Sequence, residues 1–322
     1  MKHALFSAFA VACACAVLSA TPEPAQAQPS RVFVAAQGSD ANSCTFAAPC
    51  RTFQHAHDTV AAGGEIDVLD PAGYGALTIS KSISIQGHGF AGVSAPSGNA
   101  ITVNSRGGAV VNLRGLLIDG VGSGQSGIQF DDGASVHIQD NLIRSFTNGI
   151  EVNLLNAVLT VTNSTISDNS ANGILMQATT SSTSIHHMRA VLDHVGLHSN
   201  GFAGLNLLGT SAANGAVTAI ATDSVASYNG AAGGGGGYGF VAQSSGVPVL
   251  LKLQRCTVAY NSNEGILALG PGGAVYVHQS VIFYNLGGGW HSVSSGQLFS
   301  TGTNFLTNNA GDEDSQTPFA LK

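Results

Sequence analysis

The chain has 322 residues, a formal net charge of −7 and only 9% charged residues, against about 25% in ordinary globular domains. Apart from Lys2, its Lys and Arg are scattered, which excludes nucleic acid or an anionic membrane surface as a partner, because phosphate binding needs clustered cations. The 42 Gly residues are interleaved with Ile, Leu and Val throughout, so the chain is not a disordered Gly/Ser segment.

In chain order, Lys2-His3, the apolar run Ala4 to Ala20 and the small-residue site Ala25-Gln26-Ala27 read as an export signal, 1–27, cleaved after Ala27. That run is too short for a retained membrane helix, and no later segment would span a bilayer. The expectation is a secreted or periplasmic soluble protein, monomeric, with no cofactor and no metal. Three of the five Cys follow the signal. Cys44 and Cys50 flank a short Pro-containing loop and suit a local disulfide. Cys256 has no evident partner and is expected to be buried. Residues 51–62 read as a short helix ending at Gly63-Gly64 that caps the N-terminal end of the domain.

From there one unit repeats. Its Gly-apolar starts are Gly127-Ile128, Gly149-Ile150, Gly173-Ile174, Gly204-Leu205, Gly239-Phe240 and Gly265-Ile266, with Gly289-Trp290 as a last, degraded copy. Aligned on the aliphatic residues Ile143, Ile166, Leu197, Ala226, Val258 and Ile282, the positions five and seven upstream are apolar in all six copies, and the position between them is mixed. That alternation is a strand with one face buried. Three residues after the aliphatic position stand Asn169, Asn200, Asn229, Asn261 and Asn285, with Phe146 in the first copy. Asn suits left-handed backbone at a turn, and stacked copies would bring the amides about 4.8 Å apart. The prediction is an all-β, right-handed parallel β-helix of about nine coils over residues 28–309, with 310–322 as a polar acidic tail.

These columns, with Pro49-Cys50-Arg51-Thr52-Phe53, Gly63-Gly64-Glu65-Ile66 and Gly73-Tyr74, resemble the pectin lyase-like superfamily. They are most similar to exported bacterial right-handed parallel β-helix repeat proteins. The resemblance implies a polysaccharide partner and covers lyases, hydrolases, epimerases and non-catalytic scaffolds alike. The enzymes' motifs are incomplete. Gly87-His88-Gly89 precedes Asp131-Asp132, the reverse of the polygalacturonase order. Leu192-Asp193-His194 is similar to a pectate lyase strand, but the accompanying Arg-x-Pro element is missing. His186, His187, His194 and His198 fall on a loop and a strand end, without ligand spacing for zinc.

Two columns remain as candidate sites. Three residues before the aliphatic position, His194, Asp223 and Arg255 fall side by side on the outer surface. They form either a base-orienting or sugar-gripping cluster or a charge-balanced ladder. Just before the Asn column come Tyr228, Tyr260 and Tyr284, either a sugar platform or a self-stacking ladder. Outward Leu175, Val241 and Leu267 need cover, from the insertions at 177–188, 208–216 and 230–237 or from a partner chain. The function expected is polysaccharide or envelope-glycan binding through the solenoid face; the alternative is a carbohydrate-active enzyme.

Overall fold

A computed structural model describes residues 28–105, 108–130, 135–153, 156–178, 186–210, 215–230, 235–311 and 317–318, with His186 in backbone only. The leader 1–27, the Asp131-Asp132 pair, much of the three insertions and most of the tail lie outside the described residues. The described strands join in one 27-stranded sheet whose pairings are all parallel. Each coil contributes to three ladders, and the chain forms the right-handed parallel β-helix that the repeat predicts.

The first ladder runs from Arg31–Val34 and Gly64–Val68 through His186–Asp193 and Gly215–Thr222 to Gln297–Ser300 and, last, Thr317–Pro318. The second is made of three-residue strands such as Thr165–Ser167, Gly196–His198 and Thr257–Ala259. The third holds nine strands: Leu77–Ile79, Ile101–Val103, the ends of Val110–Phe130 and Leu142–Val152, Asn172–Ala178, Ala203–Gly209, Tyr238–Ser244, Glu264–Leu269 and Gly288–Val293.

The sequence columns are register pairs. Ile166 pairs with Ile143 and Leu197, and Val161 with Ile138 and Leu192. All six are buried, within one apolar core running the length of the solenoid. The Gly before each apolar start marks a close backbone approach. A Cβ on Gly149, Gly173 or Gly204 would stand 2.6–2.7 Å from the carbonyl oxygen of the equivalent Gly one coil on, so a side chain there pushes coils apart.

Both corners flanking the second ladder are held by non-Gly residues in the left-handed region, and this places both candidate columns. At the first corner these are Asp140, Asn163, His194, Asp223, Arg255 and Gln279, with φ between 47° and 57°. At the second they are Ser145, Asp168, Ser199, Tyr228, Tyr260 and Tyr284. The Asn column follows the second corner and is not itself left-handed, which corrects the expectation from Asn's backbone tolerance. Its role is to pay for the corner through side-chain bonds: each Asn donates through Nδ2 to Oδ1 of the next, over 2.8–3.1 Å from Asn169 to Asn285, and on to Asn309.

A second ladder, missed in the sequence, follows the first corner. Asn141, Val195 and Cys256 donate their backbone N–H to Ser164, Ser224 and Ser280 Oγ, each over 3.1 Å. The helix is Phe53–Thr59, shorter than 51–62, with Thr52 as N-cap accepting from His55 N. It buries Phe53, Ala56 and His57. One strand, Arg31–Val34, comes before it, and Cys44 and Cys50 are disulfide-bonded in the intervening loop.

Candidate functional site

The first-corner column brings its predicted members together. Arg255 donates Nε and an Nη of its guanidinium to the two oxygens of Asp223, over 2.8 and 2.6 Å. That fork holds the Asp223 carboxyl below its usual range, with the nearby His194 adding to the effect. Asp193, absent from the aligned column, completes the group: its Oδ1 lies 3.1 Å from His194 Nδ1 and accepts from Thr222 Oγ1 at 2.8 Å. Ligating atoms of Asp193, His194 and Asp223 lie within 4.8 Å of one another. A cation there would have to displace the guanidinium, since Arg255 takes both Asp223 oxygens. All four side chains sit on an exposed corner, the arrangement of a solvated charge ladder.

The Tyr column is a continuous stack. Tyr228 and Tyr260 lie 5.0 Å apart at 8°, and Tyr260 and Tyr284 5.5 Å apart at 3°. Parallel rings one coil apart turn their faces toward each other, which leaves edges and hydroxyls for solvent. The geometry is that of a self-stacking ladder over the left-handed corner, and a sugar ring would meet a full face only at its two ends.

Among the described side chains, no group of histidines converges on a common metal site. His198 Nδ1 lies 2.8 Å from Ser227 Oγ, and burial lowers its pKa, Asp168 opposing the shift. His88, from Gly87-His88-Gly89, occupies a first-corner position with φ 56°. Its Nε2 lies 2.6 Å from Asp67 Oδ1, at the rim of a hollow of about 430 Å³ that includes Arg114 and Asp140. Arg114 Nε donates to Asp140 over 3.1 Å.

A gathering of sugar-compatible groups that the repeat alignment did not reveal lies elsewhere on the coils. On the outer side of the third ladder, a groove of about 520 Å³ is lined by Asn99, Gln125, Ser126, Gln129, Thr147, Asn148 and Glu151. Register stacks Ser126, Asn148 and Asn172 in one column and Gln129 and Glu151 in another. Glu151 Oε2 accepts from Ser126 Oγ at 2.7 Å and Asn148 Nδ2 at 3.0 Å, and Oε1 from Asn153 Nδ2 at 2.9 Å. Asn148 Oδ1 in turn accepts from Asn172 Nδ2 at 2.9 Å. The available signal was the change along the outward column, from Gln129 and Glu151 to the apolar Leu175, Val241 and Leu267, with Asn206 between the first two of these. Those three are buried; Val241 and Leu267 share a small outer cluster with Ala203, against which Phe202 and Tyr238 pack, so part of their cover comes from the chain itself.

No family model and no curated protein matches the sequence. Among solved structures the fold is similar to the pectate lyase Pel9A, at 17% identity and TM-score 0.60, covering 89% of this chain and 79% of that one. It is also similar, at TM-scores of 0.47 and 0.48, to a mannuronan C-5 epimerase A-module from Azotobacter vinelandii and an alginate lyase from Paenibacillus. Identities there are 15% and 12%, with 81% and 87% of this chain covered and 91% and 98% of those. The chain has the pectin lyase-like parallel β-helix fold.

Proposed function

We propose that this is an exported polysaccharide-binding β-helix that holds its glycan in the groove on the third ladder. The observation carrying this reading is the groove's lining: seven side chains, all hydrogen-bonding and one of them a carboxylate held by neutral donors. Amides and hydroxyls both donate and accept, which matches sugar hydroxyls, and rigid strands hold them in register. The reading of 1–27 as an export signal supports binding outside the cytoplasm, in periplasm or medium. The fold shared with a pectate lyase supports a polysaccharide as the ligand class.

A carbohydrate-active enzyme is the second reading, favoured by the imidazole–carboxylate contact of His88 and Asp67 beside Arg114 and Asp140. One experiment separates the two. Purified protein is incubated with a panel of plant and bacterial polysaccharides and scored for retention and for soluble product. Retention without product supports binding; release of oligosaccharides, lost in His88→Ala, establishes the enzyme.

A further inference from the structure

We infer that the polymer taken by the third-ladder groove is a neutral polysaccharide, not a polyuronate. The inference rests on the reading that this groove binds glycan. Among the described residues, Glu151 is the only ionisable side chain in the lining, with no Lys, Arg or His beside it there. The hydrogen bonds around it run one way: Asn172 donates to Asn148, and Asn148 donates to Glu151. The chain of amides therefore ends on a carboxylate whose remaining lone pairs call for further donors. Those lone pairs suit sugar hydroxyls. A uronate would bring its own carboxylate, an acceptor with the wrong charge, against Glu151.

The described cations of the same coils are engaged elsewhere. Arg114 and Arg144, in the same coils, are paired with Asp140 and Asp119 at the first corner and the second ladder. Arg189 and Lys252, which flank a separate hollow, belong to the first ladder. Beyond Asn172 the polar column gives way to Ala203 and Tyr238, and Tyr238 meets Phe202 edge-on at 5.4 Å. The polar column is thus confined to the coils of Ser126, Asn148 and Asn172.

The test is affinity electrophoresis of the full chain through gels carrying either neutral polymers (galactan, xylan, mixed-linkage glucan) or polyuronates (polygalacturonate, alginate). Wild type should be retarded by at least one neutral polymer and not by the uronates. Glu151→Gln should weaken neutral retention by about tenfold, and exposed Thr147→Lys should create uronate retention. Thr147 lies on the surface, so that variant keeps the fold, and thermal melting checks both. Uronate retention by wild type that exceeds neutral retention overturns the inference and leaves glycan binding standing. Neutral retention indifferent to both variants also overturns it, by placing the ligand elsewhere. Failure of every polymer to retard the wild type overturns the glycan reading itself.

Discussion

Arg255 and Asp223 are joined across adjacent coils by two parallel N–H···O bonds, and each occupies a left-handed corner position, φ 52° and 49°. The pair therefore spans a strained corner and not a cleft. Exposed pairs of this kind contribute little to stability. Asp223→Asn and Arg255→Ala are expected to leave glycan retention unchanged and to move the melting temperature at pH 7 by no more than about 2 °C. Because the folded pKa of Asp223 is lowered, its contribution is present above the ordinary carboxylate value near 4 and is lost as pH falls through the folded value. The difference in melting temperature between wild type and Asp223→Asn should accordingly close at acid pH. Loss of retention in either variant would move the ligand to the corner.

The Asn ladder sets a larger expectation. Asn229 is fully buried and central: it receives N–H and Nδ2 bonds from Asn200 and donates its own to Asn261 and to Leu197 O. Alanine there leaves the Asn200 donors and the Leu197 carbonyl unsatisfied in the core, at about 2–4 kcal/mol. Asn309, at the end of the ladder and only partly buried, should cost less on the same change. Urea unfolding of the two variants measures the contrast, and equal losses would mean that the ladder's interior bonds carry no special weight.

Gly173 tests the close approach of neighbouring coils. An alanine Cβ would stand 2.6 Å from Gly204 O and 2.9 Å from Asn200 Nδ2. Neither neighbour is the free end of a flexible side chain, so the coils must separate. Gly173→Ala should destabilise the fold by about 1–3 kcal/mol, measured by the same unfolding. Gly73, whose added Cβ would meet nothing, supplies the control.

The fold was legible because a solenoid writes its architecture into one dimension. Ile143 to Ile282 align by counting residues, and the same count predicts their pairing across coils. The corners were legible in position but not in conformation: Tyr and Arg rarely adopt positive φ, so the sequence pointed to Asn, whose side chain instead bridges the coils. The groove was least legible. Ser126 stacks on Asn148 and Gln129 on Glu151, but Asn99 comes from outside the strands. A repeat aligned on its apolar columns gives no weight to an outward polar feature that few coils share. The serine column escaped notice for a related reason, since Val195 and Cys256 interrupt it.

Cys256 gives that column its sharpest test. It stands where neighbouring coils have Ser224 and Ser280, and its Sγ lies 3.5 Å from Gln254 O, as those serines bond Thr222 O and His278 O. Burial pushes its thiol up to about 11, so almost none is thiolate at pH 8. In the folded protein Cys256 should resist iodoacetamide at pH 8 and react only once urea has opened the coil. A hydroxyl can replace the thiol and keep the bond to the carbonyl two residues back. Cys256→Ser is therefore expected to stay within about 1 kcal/mol of wild type, whereas Cys256→Val fills the space but forfeits the bond and should fall below it. Native-state alkylation, or a serine variant less stable than the valine one, would show that the position is held by thiol packing and not by the ladder.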